Sequence, residues 1–123
     1  MIELKRAYDA AAPGDGRRFL VERLWPRGVR KAELPLDGWL KDVAPSPELR
    51  RWFGHQPRRW KSFQRRYLGE LRRHPDALAP LLDAARHGPV TLVYGARDTE
   101  RNAAVVLREH LRALLHEHAR RPA

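Results

Sequence analysis

The sequence predicts a single α/β domain over residues 1–123, a small sandwich with a short, at least partly parallel sheet and a helix-rich middle. Three observations indicate this class. Apolar, strand-like segments lie near both ends of the chain, and proline-marked helix starts fill the region between them. The chain of 123 residues, with 42% hydrophobic content, suffices for one core.

The first half of the predicted sheet comes from two segments. Residues 2–8 form a strand because apolar residues alternate with charged ones, and the glycines and proline of residues 9–16 predict a loop. Residues 17–24 form a second strand. Pro26 then restricts Trp25 to extended backbone, and the strand is expected to give way to a loop there.

Four helices are expected in the middle of the chain. The first, over residues 35–43, is short. Ser46 followed by proline is typical of a helix start and predicts a second helix over residues 47–54. Prolines also open helices over residues 57–73 and 75–87.

A third strand is predicted over residues 90–94, whose apolar and β-branched run is typical of a central strand covered on both faces. A tight loop over residues 95–98 follows it. Asp98 or Thr99 is then expected to cap a last helix that runs to about His118.

Composition limits the classes of function. The chain has no cysteine, which excludes thiolate nucleophiles and cysteine-based metal sites. His116 and His118, two positions apart, do not share a helix face, so no metal or cofactor is expected. Without an apolar run of membrane-spanning length, we expect a cytoplasmic protein with no membrane partner. The net charge of +10 admits nucleic acid as a partner, but 21 arginines against four lysines also fit a GC-rich codon bias. The oligomeric state stays open.

The loop after the strand of residues 90–94 is a candidate binding site. Ligands of open α/β sheets collect beyond the carboxyl ends of the strands. Gly95 admits a ligand close to the backbone, and Asp98 is a candidate acid or base. Three further residues offer cationic or amide groups to an anion: Arg97, Arg101 and Asn102. Simple helix capping by Asp98 is the alternative.

The loop after the second strand is the other half of the candidate site. Arg23 and Arg27 flank Trp25 and could hold an anion while the indole stacks on a planar group. Gly28 permits the turn. A rigid loop with Trp25 packed on the core is the alternative. His55, beside aromatic residues between two helices, is a second candidate acid or base, with a packing role as the alternative. We therefore predict a site for a small anionic, phosphate-bearing or nucleotide-like ligand, with or without its chemical transformation.

The helix predicted over residues 57–73 supports a different function, nucleic-acid binding. Trp60, Phe63, Tyr67 and Leu71 form one apolar stripe and are expected in the core. Two columns of arginine on the remaining surface could follow a phosphate backbone or simply be solvated. These columns are Arg58, Arg65 and Arg72, and beside them Arg59, Arg66 and Arg73. A partner-binding module without chemistry is a third possibility.

Several of these segments resemble the YeaO-like family of small bacterial and archaeal proteins, a domain of unknown function (DUF488). The matching segments are residues 4–9, 23–28, 39–46, 48–55 and 91–107, with Phe63, Tyr67, Glu70 and Leu71 between them. The resemblance implies one α/β domain and carries no established reaction. The chain departs from the family at Arg101, where His or Gln is frequent, and at Ala103, where His or Asn is frequent. A reaction that needed an imidazole there would be impaired in this chain or would use His55.

Overall fold

The computed structural model describes the backbone of residues 1–120 and the side chains of residues 1–117. It is a single α/β domain. The strands are β1 (Ile2–Arg6), β2 (Arg17–Leu20), β3 (Gly38–Trp39) and β4 (Val90–Tyr94). The helices are α1 (Pro47–Phe53), α2 (Trp60–Arg73), α3 (Ala79–His87) and α4 (Ala103–Arg120). Short 3₁₀ turns precede α2 and α3.

The four strands form one sheet in the order β1-β4-β2-β3, and every neighbouring pair is parallel. Val93 of β4 lies between Lys5 of β1 and Leu20 of β2. The prediction that residues 90–94 form a central strand beside the second strand is therefore confirmed. Because the strands are parallel, the loops that follow β1, β4 and β2 all leave from the same edge of the sheet.

The two faces of the sheet are covered differently. Phe19 and Leu92 point toward the helices and join the larger core, which includes Phe63 of α2. Leu20 and Val93 point the other way, into a smaller cluster closed by the loops between β2 and α1. The neighbouring residues of each strand thus serve opposite layers, as the pleat of a strand requires.

The prediction of a helix over residues 35–43 is wrong. This segment adds β3 to the sheet edge and then makes a 3₁₀ turn over Lys41–Val43. The Asp37 N–H donates to the Arg18 carbonyl and the Leu40 N–H to the Leu20 carbonyl. These bonds come from a strand distant in sequence, so local helix propensity is overridden.

The helix predictions around Ser46 are confirmed. The Ser46 hydroxyl accepts a hydrogen bond from the Leu49 N–H at 3.2 Å, and Gly54 ends α1 in the left-handed region at φ 50°. Within α2, the apolar stripe is buried except for Trp60, which is only partly covered. No helix within residues 1–120 is both long and apolar enough to span a membrane.

Candidate functional site

The carboxyl edge of the sheet places the ends of three strands side by side. The Ala7 N–H donates to the Tyr94 carbonyl at 2.7 Å, and the Val21 N–H donates to the Val93 carbonyl at 3.1 Å. These are the last hydrogen bonds of the parallel ladders toward this edge. The next residues along the three strands, Tyr8, Gly95 and Glu22, therefore meet where the sheet ends.

A cavity of roughly 370 Å³ opens above these strand ends, a volume within the range of small-molecule sites. The loop after β2 forms one wall, the end of α1 and the following turn form another, and the start of α4 closes a third. Tyr8 and Leu24 line the cavity although 48% and 60% of their surfaces are exposed, respectively. Such exposed apolar side chains beside a cavity are typical of a binding surface.

Glu22 is the carboxylate that lines this cavity. Its Oε1 accepts a hydrogen bond from the Gly95 N–H at 3.1 Å. Burial raises the pKa of the Glu22 carboxyl, while the Gly95 bond and the nearby positive charges of Arg50 and His55 oppose that rise. The fold therefore keeps a partly desolvated acid at the end of β2.

Basic side chains share this cavity with the Glu22 carboxylate. Arg27, Arg50 and His55 line the cavity, and all three are exposed. A second cavity of roughly 350 Å³ adjoins the first and adds Arg6 and Arg97. This edge of the sheet thus combines the Glu22 carboxylate with a rim of basic side chains.

The loops at this rim are held by specific hydrogen bonds. The Arg6 Nε donates to the Ala96 carbonyl at 2.9 Å, and its guanidinium carbon lies 4.8 Å from the centre of the Tyr8 ring. The Tyr8 hydroxyl donates to the Arg27 carbonyl at 3.0 Å. The loops after β1, β2 and β4 are therefore connected to one another.

Trp25 forms part of the cavity wall and is itself fixed. Its indole N–H donates to the Val29 carbonyl at 2.6 Å, and its ring packs edge-on against Trp39 with centroids 5.4 Å apart. An indole held from behind in this way can present a constant surface to a planar ligand.

His55 lies at the mouth of the cavity in a backbone conformation that side chains rarely adopt. Its φ is +56°, directly after Gly54 at +50°, and its ring lies 5.8 Å from that of Phe53. Left-handed non-glycine residues cost on the order of 1 kcal/mol and gather at functional sites. The acid or base role assigned to His55 from the sequence stays a prediction.

Two residues predicted in the site from the loop after β2 lie outside the cavity. Arg23 turns away, and its guanidinium donates to the Pro45 carbonyl at 2.9 Å and the Ala44 carbonyl at 3.3 Å. Glu22 therefore faces the cavity, and Arg23, the next residue along the chain, does not. Gly28, at φ 78°, permits the turn of its loop but does not line the cavity.

The residues predicted in the loop after β4 act mainly on that loop. The Asp98 carboxylate accepts the N–H groups of Arg101 at 3.0 Å and Glu100 at 2.9 Å, and these bonds lower the pKa of Asp98. Asp98 and the exposed Arg101 do not line the cavity. Asn102, which does, is the residue that caps α4: its Oδ1 accepts the Val105 N–H at 3.1 Å. The last helix therefore begins at Ala103 and not at Thr99.

Sequence reasoning missed four residues of this edge: Arg6, Tyr8, Glu22 and Arg50. The first three carried a usable signal, because each lies at or just past the end of an apolar strand. Arg50 carried none, since its place depends on how α1 packs against the sheet. Within residues 1–117, no three acidic or histidine side chains converge on a point where a metal could bind, and the side chain of His118 lies outside the described residues.

This chain matches one family model and is similar in sequence to several bacterial proteins. A family model described as "Inactive DUF488-N3 subclade" matches residues 1–123. The chain is 45% identical over 113 residues to the "Uncharacterized protein YeaO" of Escherichia coli K12, covering 92% of this chain and 98% of the relative. It is 43% identical over 110 residues to the "Uncharacterized protein Rv3073c" of Mycobacterium tuberculosis H37Rv, covering 89% and 92%. No solved structure gave a significant match. The chain belongs to the YeaO-like DUF488 family, in the subclade described as inactive.

Proposed function

We propose that this protein binds a small anionic, phosphate-bearing or nucleotide-like ligand in the cavity at the carboxyl edge of its sheet. The observation that carries the proposal is the convergence of the strand-end loops on one cavity whose rim holds Arg27, Arg50 and His55. Arginine forks suit phosphate oxygens, and the carboxyl edge of a parallel sheet is where α/β proteins bind ligands.

Binding without chemical transformation is the version of the proposal that we favour. The family model that matches the chain is described as an inactive subclade. Among the cavity-lining residues that the structure describes there is no serine, threonine, cysteine or lysine, so a nucleophile would have to be Glu22, His55 or the Tyr8 hydroxyl. The Tyr8 hydroxyl is already engaged by the Arg27 carbonyl.

The test compares an arginine that lines both cavities at the sheet edge with one that lines neither. Arg27 lines both cavities, Arg51 on α1 lines neither, and both are exposed. We expect inorganic phosphate, AMP or GMP to raise the Tm of the wild type and of Arg51→Ala more than that of Arg27→Ala, at low and at high salt. A ligand at a hundredfold excess over its Kd stabilises by about 2.7 kcal/mol. Equal Tm shifts in the two variants, or none in the wild type, would overturn the proposal.

A second candidate function, nucleic-acid binding, is favoured by the surface of α2 and the turn before it. Residues 57–73 carry six arginines and one lysine against one carboxylate, Glu70, whose two oxygens bond the Ser46 N–H and hydroxyl. Within the described side chains none of these cations forms a salt bridge. Arg59 and Arg66 instead lie against the Trp52 ring, with the Arg66 guanidinium carbon 4.1 Å from its centre.

Replacement of the exposed arginines separates the two candidates. If nucleic acid binds along α2, Arg65→Ala with Arg72→Ala should weaken binding of a short DNA duplex regardless of its sequence. The same change should reduce the salt dependence of log K by roughly one unit for each phosphate that the helix no longer neutralises. If the cavity is the only binding site, these replacements should leave the response to phosphate, AMP and GMP unchanged.

A further inference from the structure

The position of Glu22 identifies a second requirement on the ligand. A site that only bound a simple anion would be stronger without a carboxylate, because like charges repel. The fold nevertheless places Glu22 inside the cavity, where burial raises its pKa. The Gly95 N–H occupies one position on Oε1, which leaves Oε2 and a second lone pair of Oε1 to accept hydrogen bonds from a ligand.

Glu22, which would accept hydrogen bonds from the ligand, lies apart from the arginines that would bind its anionic group. Glu22 lines only the cavity of roughly 370 Å³, whereas Arg6 and Arg97 line only the adjoining one. Tyr8, Arg27 and Gly95 line both and form the boundary between them. A ligand that spans this boundary would place hydrogen-bond donors at Glu22 and its negative charge among the arginines.

The walls near Glu22 suit a flat group. Trp25, held by Trp39 and by the Val29 carbonyl, forms one side. Phe53 and Phe63, which are buried and stack on each other with centroids 4.3 Å apart, also line the cavity. Aromatic walls with a few placed polar groups are typical of small-molecule sites, and a nucleobase is a flat ligand that such walls suit.

We infer that the ligand is a nucleoside monophosphate whose amino-bearing base donates to Glu22 while its phosphate binds among Arg6, Arg27 and Arg97. The inference rests on the proposed function and specifies its ligand. Guanine fits best, because its N1–H and 2-amino group are adjacent donors that match the two oxygens of a carboxylate. Xanthine presents a carbonyl oxygen where guanine has the amino group, and would oppose the Glu22 carboxylate.

The experiment compares the affinities for GMP and XMP in the wild type and in a Glu22 variant. Calorimetry should show that the wild type binds GMP at least about fivefold more tightly than XMP, since one correct bidentate pair is worth about 1–3 kcal/mol. In Glu22→Gln the side chain can donate to the xanthine carbonyl, so the ratio of the two affinities should fall to about one or reverse. Glu3→Gln, on the exposed start of β1, should keep the wild-type ratio.

Each other outcome has a defined meaning. Equal binding of GMP and XMP by the wild type, with Arg27→Ala weakening both, would overturn the assignment of Glu22 and leave the anion site standing. Binding of inorganic phosphate but of neither nucleotide would also overturn the inference. No binding of phosphate or nucleotide would contradict the proposed function itself.

Discussion

The Glu22 side chain and the Gly95 backbone N–H are hydrogen-bonded at 3.1 Å, and this bond joins the end of β2 to the end of β4. It replaces the ladder bond that the two strands no longer make at this point. It also occupies the backbone donor that Gly95 would otherwise offer to a ligand. The Glu22 carboxylate, and not the Gly95 N–H, is therefore the polar group that the ends of β2 and β4 present to the cavity.

Replacement of Glu22 by glutamine should raise the free energy of unfolding relative to that of the wild type, and this gain should grow as the pH rises. Burial raises the Glu22 pKa in the folded state, so over the range between the unfolded and folded pKa values the native protein binds more protons than the unfolded chain. Wild-type stability is therefore lost as the pH rises through that range. Glutamine does not titrate, and its carbonyl can still accept the Gly95 N–H.

Urea denaturation at several pH values measures this effect. The free energy of unfolding of Glu22→Gln minus that of the wild type should be larger at neutral pH than near pH 4, where an ordinary glutamate begins to protonate. The exposed Glu3→Gln should show no comparable increase. A difference that does not change with pH for Glu22→Gln would show that folding does not raise the pKa of this carboxyl.

Replacement of Gly95 by alanine should reduce ligand binding without cost to the fold. A Cβ built at Gly95 meets no atom within 4 Å, and its φ lies outside the left-handed region. Alanine should therefore leave the free energy of unfolding unchanged or raise it by up to about 1 kcal/mol. The added methyl group occupies space at the boundary of both cavities, so stabilisation by GMP should fall.

Gly69→Ala is the matched control for this change. Gly69 lies within α2, also has nothing within 4 Å of a built Cβ, and does not line either cavity at the sheet edge. Alanine there should stabilise by about 1 kcal/mol, through helix propensity, with an unchanged response to GMP. If the two variants respond to GMP alike, the ligand does not pass Gly95.

The parts of the fold that sequence predicts are those with local causes. Ser46, Pro47 and Gly54 define α1 through capping chemistry within one or two turns. Val90–Tyr94 reads as a central strand because all five of its residues are apolar or small enough to be buried. The parallel order of the strands then places both arginine-containing loops on one edge.

The parts that sequence does not predict depend on distant partners. β3 forms because residues 37 and 40 bond the backbone of β2, some 20 residues earlier in the chain. The choice of Glu22 over Arg23 as the cavity residue depends on bonds to distant segments: Glu22 accepts the Gly95 N–H, and Arg23 donates to the carbonyls of residues 44 and 45. Asp98 and Asn102 both look like caps, and only the turn between them decides that α4 starts after Asn102.

Truncation of Phe63 should cost more stability than truncation of Trp60. Phe63 is 2% exposed and stacks on Phe53 at 4.3 Å, whereas Trp60, predicted in the core, is only partly buried. We expect Phe63→Ala to lower the free energy of unfolding by about 3–5 kcal/mol and Trp60→Ala by less. Urea titration of both variants gives the comparison. The reverse order would mean that the apolar face of α2 is centred on its first turn.

Asp15, just before β2 and at the opposite edge of the sheet, should control stability in acid. Its carboxylate lies 2.9 Å from the Lys5 Nζ, 3.0 Å from the Ala12 N–H and 2.6 Å from the Arg18 guanidinium. The Lys5 bond is the largest cause and, with the other two, lowers the Asp15 pKa to about 2, against the effect of burial. Because the folded pKa is depressed, this stability is present above the unfolded pKa near 4 and is lost as the pH falls toward 2.

Asp15→Asn should therefore lower the free energy of unfolding by about 3 kcal/mol at neutral pH, because it leaves the buried Arg18 without its counter-charge. The loss should shrink between about pH 4 and pH 2, where the wild-type carboxylate itself becomes protonated. Chemical denaturation of both proteins across this range measures the difference. Asp83→Asn, an exposed residue on α3, supplies the control and should change stability by less than about 0.5 kcal/mol. A loss from Asp15→Asn that stays constant down to pH 2 would show that the three bonds act through shape and not through charge.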